Sequence, residues 1–371
     1  MLWAFALASL GLWAIIALLP WRPWGTAEYL DASGSSDTDL SDVTVLIPTR
    51  NEADIIGSTL TALKEQGPGL QMVLVDDQSE DATADIVKSI QIKELQIING
   101  AALAAGWTGK LWALEQARRH ASTPYLLLLD ADIQLAPGTV ASLRRKLLTE
   151  GLDFLSLMAA LRMQSAWEKL LILAFVYFFK LLYPFRLSNS GSRWVAAAAG
   201  GCILLKAELL DRIGGFGALR GELIDDCALA GRARCAGAKT WIGLTHSARS
   251  GRAYRLADIW NMVARTAFTQ LRFSSALLGL CTALMAVAYL VPFLALFSGS
   301  PPAQAMALGA CLLMTLTYWP TIRFYGLSAG WTLALPVAGV LFLGMTWTSA
   351  LRYWRGERSR WKGRRYRTAG E

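Results

Sequence analysis

Three acidic clusters have the composition and spacing to do chemistry: Asp76-Asp77, Asp130-Ala131-Asp132 and Asp225-Asp226. The first two follow short apolar runs, Met72–Val75 and Tyr125–Leu129, that read as strands. Carboxylates two residues apart at a strand end have the reach to share one hard divalent ion. Mg²⁺ takes one or two carboxylates and fills its remaining positions with water and substrate phosphates. A nucleotide diphosphate supplies such phosphates, and an ion there offsets charge on the departing diphosphate. Plainer tasks suit the same residues. Asp76 and Asp77 have the side chains to cap a following helix, and Asp226 reads equally as a carboxylate at a helix start.

The flanking pattern says what must hold these acids. Val43–Pro48 is a short apolar strand, followed by an amphipathic helix over Asp54–Gln66 that Gly67-Pro68-Gly69 stops. Met72–Val75 is the second strand, Ala82–Ile90 a helix, Leu95–Ile98 the third strand and Lys110–His120 a helix. Tyr125–Leu129 is the fourth strand, and a helix follows over Pro137–Leu148. Strands alternating with helices of this size imply an α/β domain with a mostly parallel, Rossmann-like sheet. Ligands bind beyond the carboxyl ends of such strands, where the first two acidic clusters fall.

The 371 residues are 54% hydrophobic and only 17% charged, too apolar for a wholly soluble chain and far too apolar for a disordered one. The excess is local. Residues 1–21 read as an amino-terminal membrane helix, 22–41 as a linker and 42–250 as the globular domain. Residues 251–273 read as an amphipathic membrane-proximal region and 274–351 as carboxy-terminal membrane segments. Pro320 marks the end of a shorter apolar run, Ala303–Trp319. Within the globular stretch, 165–185 is apolar almost all round. Lys169 and Lys180 fall about 20° apart on a helix, so it is expected to lie in the membrane interface with snorkelling lysines and an aromatic belt of Trp167, Tyr177 and Tyr183. The tail, 352–371, carries eight basic residues against Glu357 and Glu371 and holds most of the net charge of +8. Next to a membrane segment it suits anionic headgroups, and nucleic acid is not expected as a partner. Arg22 follows the first span and nothing charged precedes it, which orients the globular domain to the cytoplasm. The expected location is the inner (cytoplasmic) membrane, with several crossings. Five cysteines without paired spacing fit a reducing compartment.

With these residues in view, the chain resembles a known family. Pro48-Thr49-Arg50-Asn51-Glu52, Val75-Asp76-Asp77-Gln78-Ser79, Asp130-Ala131-Asp132, Gly200-Gly201-Cys202, Gly214-Gly215-Phe216 and Asp225-Asp226 look like the family 2 glycosyltransferases of the GT-A fold. Gly106-Trp107-Thr108-Gly109-Lys110, Leu223–Leu229 and Arg265–Arg272 are most similar to the membrane-bound members associated with hopanoid biosynthesis. Ceramide and carotenoid glucosyltransferases resemble the chain more distantly.

The resemblance implies a GT-A domain and an inverting transfer of a sugar from a nucleotide-diphosphate donor to a lipid acceptor, with Mg²⁺ or Mn²⁺. Pro48, Arg50, Asn51, Glu52, Asp76, Asp77, Lys110 and Asp130 fall at donor-binding positions, with Asp77 and Glu52 at the nucleoside and Lys110 near the diphosphate. Asp132 is implied as the direct metal ligand with Asp130 beside it, and His246 is a further candidate ligand. Asp226 matches the catalytic base, and Asp225 replaces the more usual Glu before it. Trp194, Gly200 and Gly201 are placed beside the acceptor. Thr269-Gln270-Leu271-Arg272-Phe273 departs from the family's Gln-x-x-Arg-Trp motif at its first position and at the Trp; Arg272 is a candidate phosphate contact or, with Arg265, a topology anchor before the membrane span. The departure argues against a processive polysaccharide synthase. A polyprenyl-phosphate sugar synthase or a non-catalytic nucleotide-sugar-binding subunit would carry many of the same motifs.

Overall fold

The computed structural model describes residues 2–33, 37–192, 194–361 and 364–367. Two compact units emerge. One comprises Glu28–Arg162 and Leu187–Ala253; the other comprises Met1–Ala27, Met163–Arg186 and Tyr254–Glu371.

The first unit is built on eight strands: β1 (Val43–Thr49), β2 (Gln71–Asp76), β3 (Leu95–Asn99), β4 (Tyr125–Leu129), β5 (Ile133–Leu135), β6 (Phe154–Ala160), β7 (Cys202–Lys206) and β8 (Thr240–Ser250). Their order in the sheet is β3-β2-β1-β4-β7-β6-β8-β5. Strands β3, β2, β1 and β4 are mutually parallel, as are β6 and β8. β7 runs antiparallel to both neighbours, and β5 antiparallel to β8. The expected α/β fold is present, mostly parallel on the β1–β4 side and mixed beyond it.

Alternation along the strands fills two cores. Val45, Ile47, Leu74, Leu127 and Leu129 pack with Leu60, Leu63, Leu143 and Leu147 on one face. Leu46, Val73, Val75, Leu126 and Leu128 pack with Leu111, Leu114 and Phe216 on the other. A sheet covered on both faces needs apolar side chains at successive positions, which is why β1 and β4 read as unbroken apolar runs.

The stretch read as a linker is partly built into this sheet. Leu30 N–H donates to Leu244 O at 3.0 Å, and Leu244 N–H donates to Glu28 O at 2.9 Å. β5 covers β8 only over Ala248–Ser250, which leaves main-chain groups near Leu244 for residues 28–30 to satisfy.

In the second unit, Ser275–Leu296, Pro301–Phe324 and Ala329–Trp354 are long and apolar enough to cross a membrane, and Leu2–Leu18 is a shorter apolar helix. Pro320 does not end its helix, which runs on to Phe324. The helix Ala166–Leu182 starts at a capping box of Ser165 and Glu168. Lys180 does not snorkel: it is 1% exposed and its Nζ donates to Trp24 O at 3.3 Å. Tyr177 is buried as well, with its hydroxyl 3.0 Å from Thr317 Oγ1. A helix apolar on all sides is covered on several of them, so Lys180 and Tyr177 find their partners inside the unit. Of the basic tail expected over 352–371, residues 362–363 and 368–371 lie outside the described residues; Glu357–Trp361 and Arg364–Arg367 pair as an antiparallel ribbon.

Candidate active site

Strand register assembles the site. β1 and β2 pair Thr49 with Asp76, and β4 and β7 pair Leu129 with Cys202. Asp76-Asp77, Asp130 and the Gly200-Gly201 turn therefore leave the sheet along one edge. Asp130 N–H donates to Gly201 O at 3.1 Å, and Asp77 N–H donates to Thr49 O at 2.8 Å.

Two helix starts bring the remaining groups to that edge. Lys110 is the second residue of the helix Gly109–Arg118, and Asp225 and Asp226 open the helix Asp225–Cys235. The Lys110 ammonium lies 2.7 Å from Asp130 Oδ1 and 3.9 Å from Asp225 Oδ2, and donates to Gly200 O at 3.4 Å. Asp226 Oδ2 accepts the Gly200 N–H at 2.9 Å, and its Oδ1 accepts the Cys227 N–H at 2.7 Å. A Cβ on Gly200 would stand 3.1 Å from Lys110 Nζ and 3.4 Å from Asp226 Oδ2. Close approach, not backbone angle, favours a glycine here. A small hollow here is lined by Lys110, Gly200, Asp225 and Asp226, with Phe216 and Leu229 behind them.

The electrostatics follow from this crowding. Enclosure alone pulls the Lys110 ammonium down, but the Asp130 and Asp225 carboxylates outweigh it and hold Lys110 above its ordinary value. Enclosure raises Asp130, Lys110 opposes the rise and Asp132 adds to it. Enclosure and the neighbouring Asp225 push Asp226 up to about 6, against the Cys227 N–H, Lys110 and the Gly200 N–H. A carboxyl group with that value is largely ionised at neutral pH and is a stronger base than an ordinary aspartate.

Asp132 anchors a second cluster. Its Oδ2 accepts from Ser250 Oγ at 2.6 Å and from Arg252 Nε at 3.4 Å. Arg252 Nη2 reaches on to Glu52 Oε1 at 2.6 Å. The antiparallel pairing of Ile133 with Ser250 creates this contact. Ser250 and Arg252 escaped the sequence reading, although Arg249-Ser250-Gly251-Arg252 is a polar run at a strand end.

The loops after β1 and β2 hold each other. Arg50 Nη1 donates to Asp77 O at 2.7 Å and Gln78 O at 2.6 Å, and its Nη2 lies 2.8 Å from Glu80 Oε1. Asn51 N–H donates to Ser79 Oγ at 3.0 Å, and Asn51 Oδ1 accepts the Glu80 N–H at 2.8 Å. Asp76 Oδ1 accepts the Ser79 N–H at 3.1 Å. Pro48 lies inside β1 opposite Val75. Arg50, Asn51 and Asp76 thus shape the loop wall with their own side chains.

Other candidates stand elsewhere. His246 Nδ1 lies 2.9 Å from Asp31 Oδ2, and its N–H donates to the same carboxylate. These contacts tie it to the 28–33 segment. Trp194 is 80% exposed, in the loop before the Gly200-Gly201 turn. Arg272 belongs to the other unit.

Among the described residues, no group of three or more His, Cys, Asp or Glu is gathered as a metal cage. Lys110 takes one oxygen of Asp130, while Ser250 and Arg252 take one oxygen of Asp132. The second oxygen of each remains for a hard cation, with phosphate and water completing the set. Mg²⁺ accepts such a donor set.

The sequence model of the family described as Glycosyl transferase family 2 matches residues 44–214. The 4,4'-diaponeurosporenoate glycosyltransferase of Staphylococcus haemolyticus is 29% identical over 96 residues, 25% of this chain and 24% of the relative. The protein of that name from Staphylococcus aureus (strain bovine RF122 / ET3-1) is 31% identical over 91 residues, 24% of each chain. The matched stretch thus spans about a quarter of the length of these curated relatives. Among solved structures, the mannosyltransferase PcManGT from Pyrobaculum calidifontis, in complex with GDP-Man and Mn²⁺, superposes with a TM-score of 0.57 at 21% identity, over 92% of this chain and 99% of that one. Residues 44–214 thus carry the match to the Glycosyl transferase family 2 model, and the fold is of the GT-A type.

Proposed function

We propose that the protein is a membrane-anchored inverting glycosyltransferase that moves a sugar from a nucleotide-diphosphate donor to a lipid acceptor. The observation that carries this reading is Asp226, fixed to the Gly200 N–H next to the Lys110–Asp130 ion pair. A base and a cation stand at one sheet edge, as a displacement of diphosphate by an alcohol requires. Asp226 takes the proton of the acceptor hydroxyl while that oxygen attacks the anomeric carbon from the face opposite the diphosphate. Lys110 faces the charge that develops on the leaving group. Glu52 and Asp77 hold the nucleoside, and Asp130 with Asp132 would hold Mg²⁺ or Mn²⁺. Such an ion, when bound, supplies charge stabilisation to the diphosphate.

Support for the lipid acceptor comes from the three long apolar helices and from curated relatives named for 4,4'-diaponeurosporenoate. A hopanoid or similar polycyclic alcohol is the acceptor the sequence resemblance favours, with the domain on the cytoplasmic face of the inner membrane. The test incubates purified protein with UDP- and GDP-sugars, Mn²⁺ or Mg²⁺ and a lipid extract, then weighs the lipids by mass spectrometry. A hexose mass added to one lipid class, absent with Asp226→Asn, is the expected result. Donor turnover that needs neither lipid nor Asp226 would sink the reading.

A further inference from the structure

Arg252 has no part in the transfer just described, yet it stands on two carboxylates of the site. Its Nη2 lies 2.6 Å from Glu52 Oε1 and its Nε 3.4 Å from Asp132 Oδ2. The two carboxylates are mostly buried, with side chains 9% and 14% exposed. Lys110 takes the equivalent place on Asp130 at 2.7 Å. Both acids assigned to the ion therefore already face a side-chain cation. A divalent ion that reaches Asp132 alone meets a guanidinium on the same carboxylate, and like charges a few ångströms apart repel strongly where water is sparse. An ion that arrives with a diphosphate brings anionic oxygens. Arginine pairs with phosphate in strong, charge-assisted hydrogen bonds, so the repulsion is replaced by attraction.

We propose that Arg252 couples ion binding to donor binding: held on Asp132 and Glu52, it weakens the site for a bare divalent ion and favours the ion together with a diphosphate. Arg252 is a positioning residue that acts through Asp132. The inference rests on the assignment of Asp132 to the ion in the proposed function. Coupling of this kind is reciprocal, so the ion tightens the nucleotide by the same factor as the nucleotide tightens the ion.

The test follows free Mn²⁺ by electron paramagnetic resonance with the purified full-length protein, alone, with UDP and with GDP. It compares the wild type, Arg252→Gln and Arg252→Lys, each checked for native melting. In the wild type, the nucleotide that binds is expected to tighten Mn²⁺ by about tenfold, within the usual range of coupling between sites. Arg252→Gln is expected to bind bare Mn²⁺ about three- to tenfold more tightly and to lose most of the nucleotide's enhancement. Arg252→Lys keeps the charge and stays near the wild type. Bare-ion affinity that is unchanged or weaker in Arg252→Gln overturns the coupling while leaving the ion site intact. A lysine variant that behaves like the glutamine variant overturns it too, because charge is then not the cause. If no form binds Mn²⁺ with either nucleotide, the ion assignment fails and the coupling falls with it.

Discussion

Asp226 and Gly200 are joined by a 2.9 Å hydrogen bond from the glycine N–H to the carboxylate Oδ2. The bond ties the start of the helix Asp225–Cys235 to the turn that leads into β7, and so to the end of β4. Twenty-six residues of sequence separate the pair, yet the contact fixes where a proton acceptor stands relative to the Lys110–Asp130 pair.

The first prediction concerns that acceptor. Asp226→Asn should lower kcat by about 10²- to 10⁴-fold, the usual worth of a positioned base, with nucleotide affinity retained in a calorimetric titration. The ionised form is the active one, and Asp226 sits at about 6. Activity should therefore rise with pH through about 6 and fall tenfold per unit below it. A profile of kcat/KM between pH 5 and 8 checks the sign, and the Asn variant should lack the rise.

Gly200→Ala tests close approach. The added Cβ meets the tip of Lys110 at 3.1 Å and Asp226 at 3.4 Å, and a flexible lysine end moves at little cost. Melting should change by only a few degrees, while transfer should drop about tenfold because the Lys110 ammonium must give by a few tenths of an ångström at a reacting centre, where position is critical. Equal losses in melting and activity would show that the glycine serves packing alone.

Lys110→Met removes the cation shared by Asp130 and Asp225. The side chains are 21% and 33% exposed at the shorter contact. The stability loss should thus lie between the ~1 kcal/mol typical of exposed pairs and the ~3 kcal/mol of buried ones. Donor KM should rise along with it, and chemical denaturation beside a donor titration separates the two effects.

Chelation by EDTA should abolish turnover, and Mn²⁺ or Mg²⁺ should restore it. Asp132→Ala should not be restored by either ion. His246→Asn should leave the ion dependence as it is, because His246 is engaged by Asp31. An altered ion requirement in that variant would return His246 to the metal site.

The Asp31–His246 tie predicts a pH effect on stability. Burial raises the Asp31 carboxyl, but the side-chain and main-chain hydrogen bonds of His246 and that of Thr245 outweigh it and leave the group below its ordinary value. A carboxylate depressed in the folded state stabilises above its ordinary value of 3.8 and loses that contribution as pH falls through the lower folded value. Melting of the wild type and Asp31→Asn should differ by a few degrees at pH 7 and converge toward pH 3.

Half of the sheet could be read from the residues. β1, β2 and β4 are covered on both faces, so their central positions are apolar on both sides. Asp76 and Asp77 fall at the end of β2, and Asp130 at the end of β4. The Gly200-Gly201 pair was visible as a motif, but its place opposite Asp130 depends on β7 running antiparallel to β4. In the helix Ala166–Leu182, two lysines on one face suit an interface and a buried hydrogen bond equally well. Burial of Lys180 and its hydrogen bond to the Trp24 carbonyl distinguish the two there.

Sequence alone determined the alternating strands, the acids at their ends and the apolar helices, since each depends on local periodicity and burial. Tertiary structure decided the pairing of β5 with β8, which carries Ser250 and Arg252 to Asp132 from more than a hundred residues away. It also decided the tie of Asp31 to His246. Such contacts join charges that no local pattern links, and they form only when the closing sheet fixes a register between distant strands.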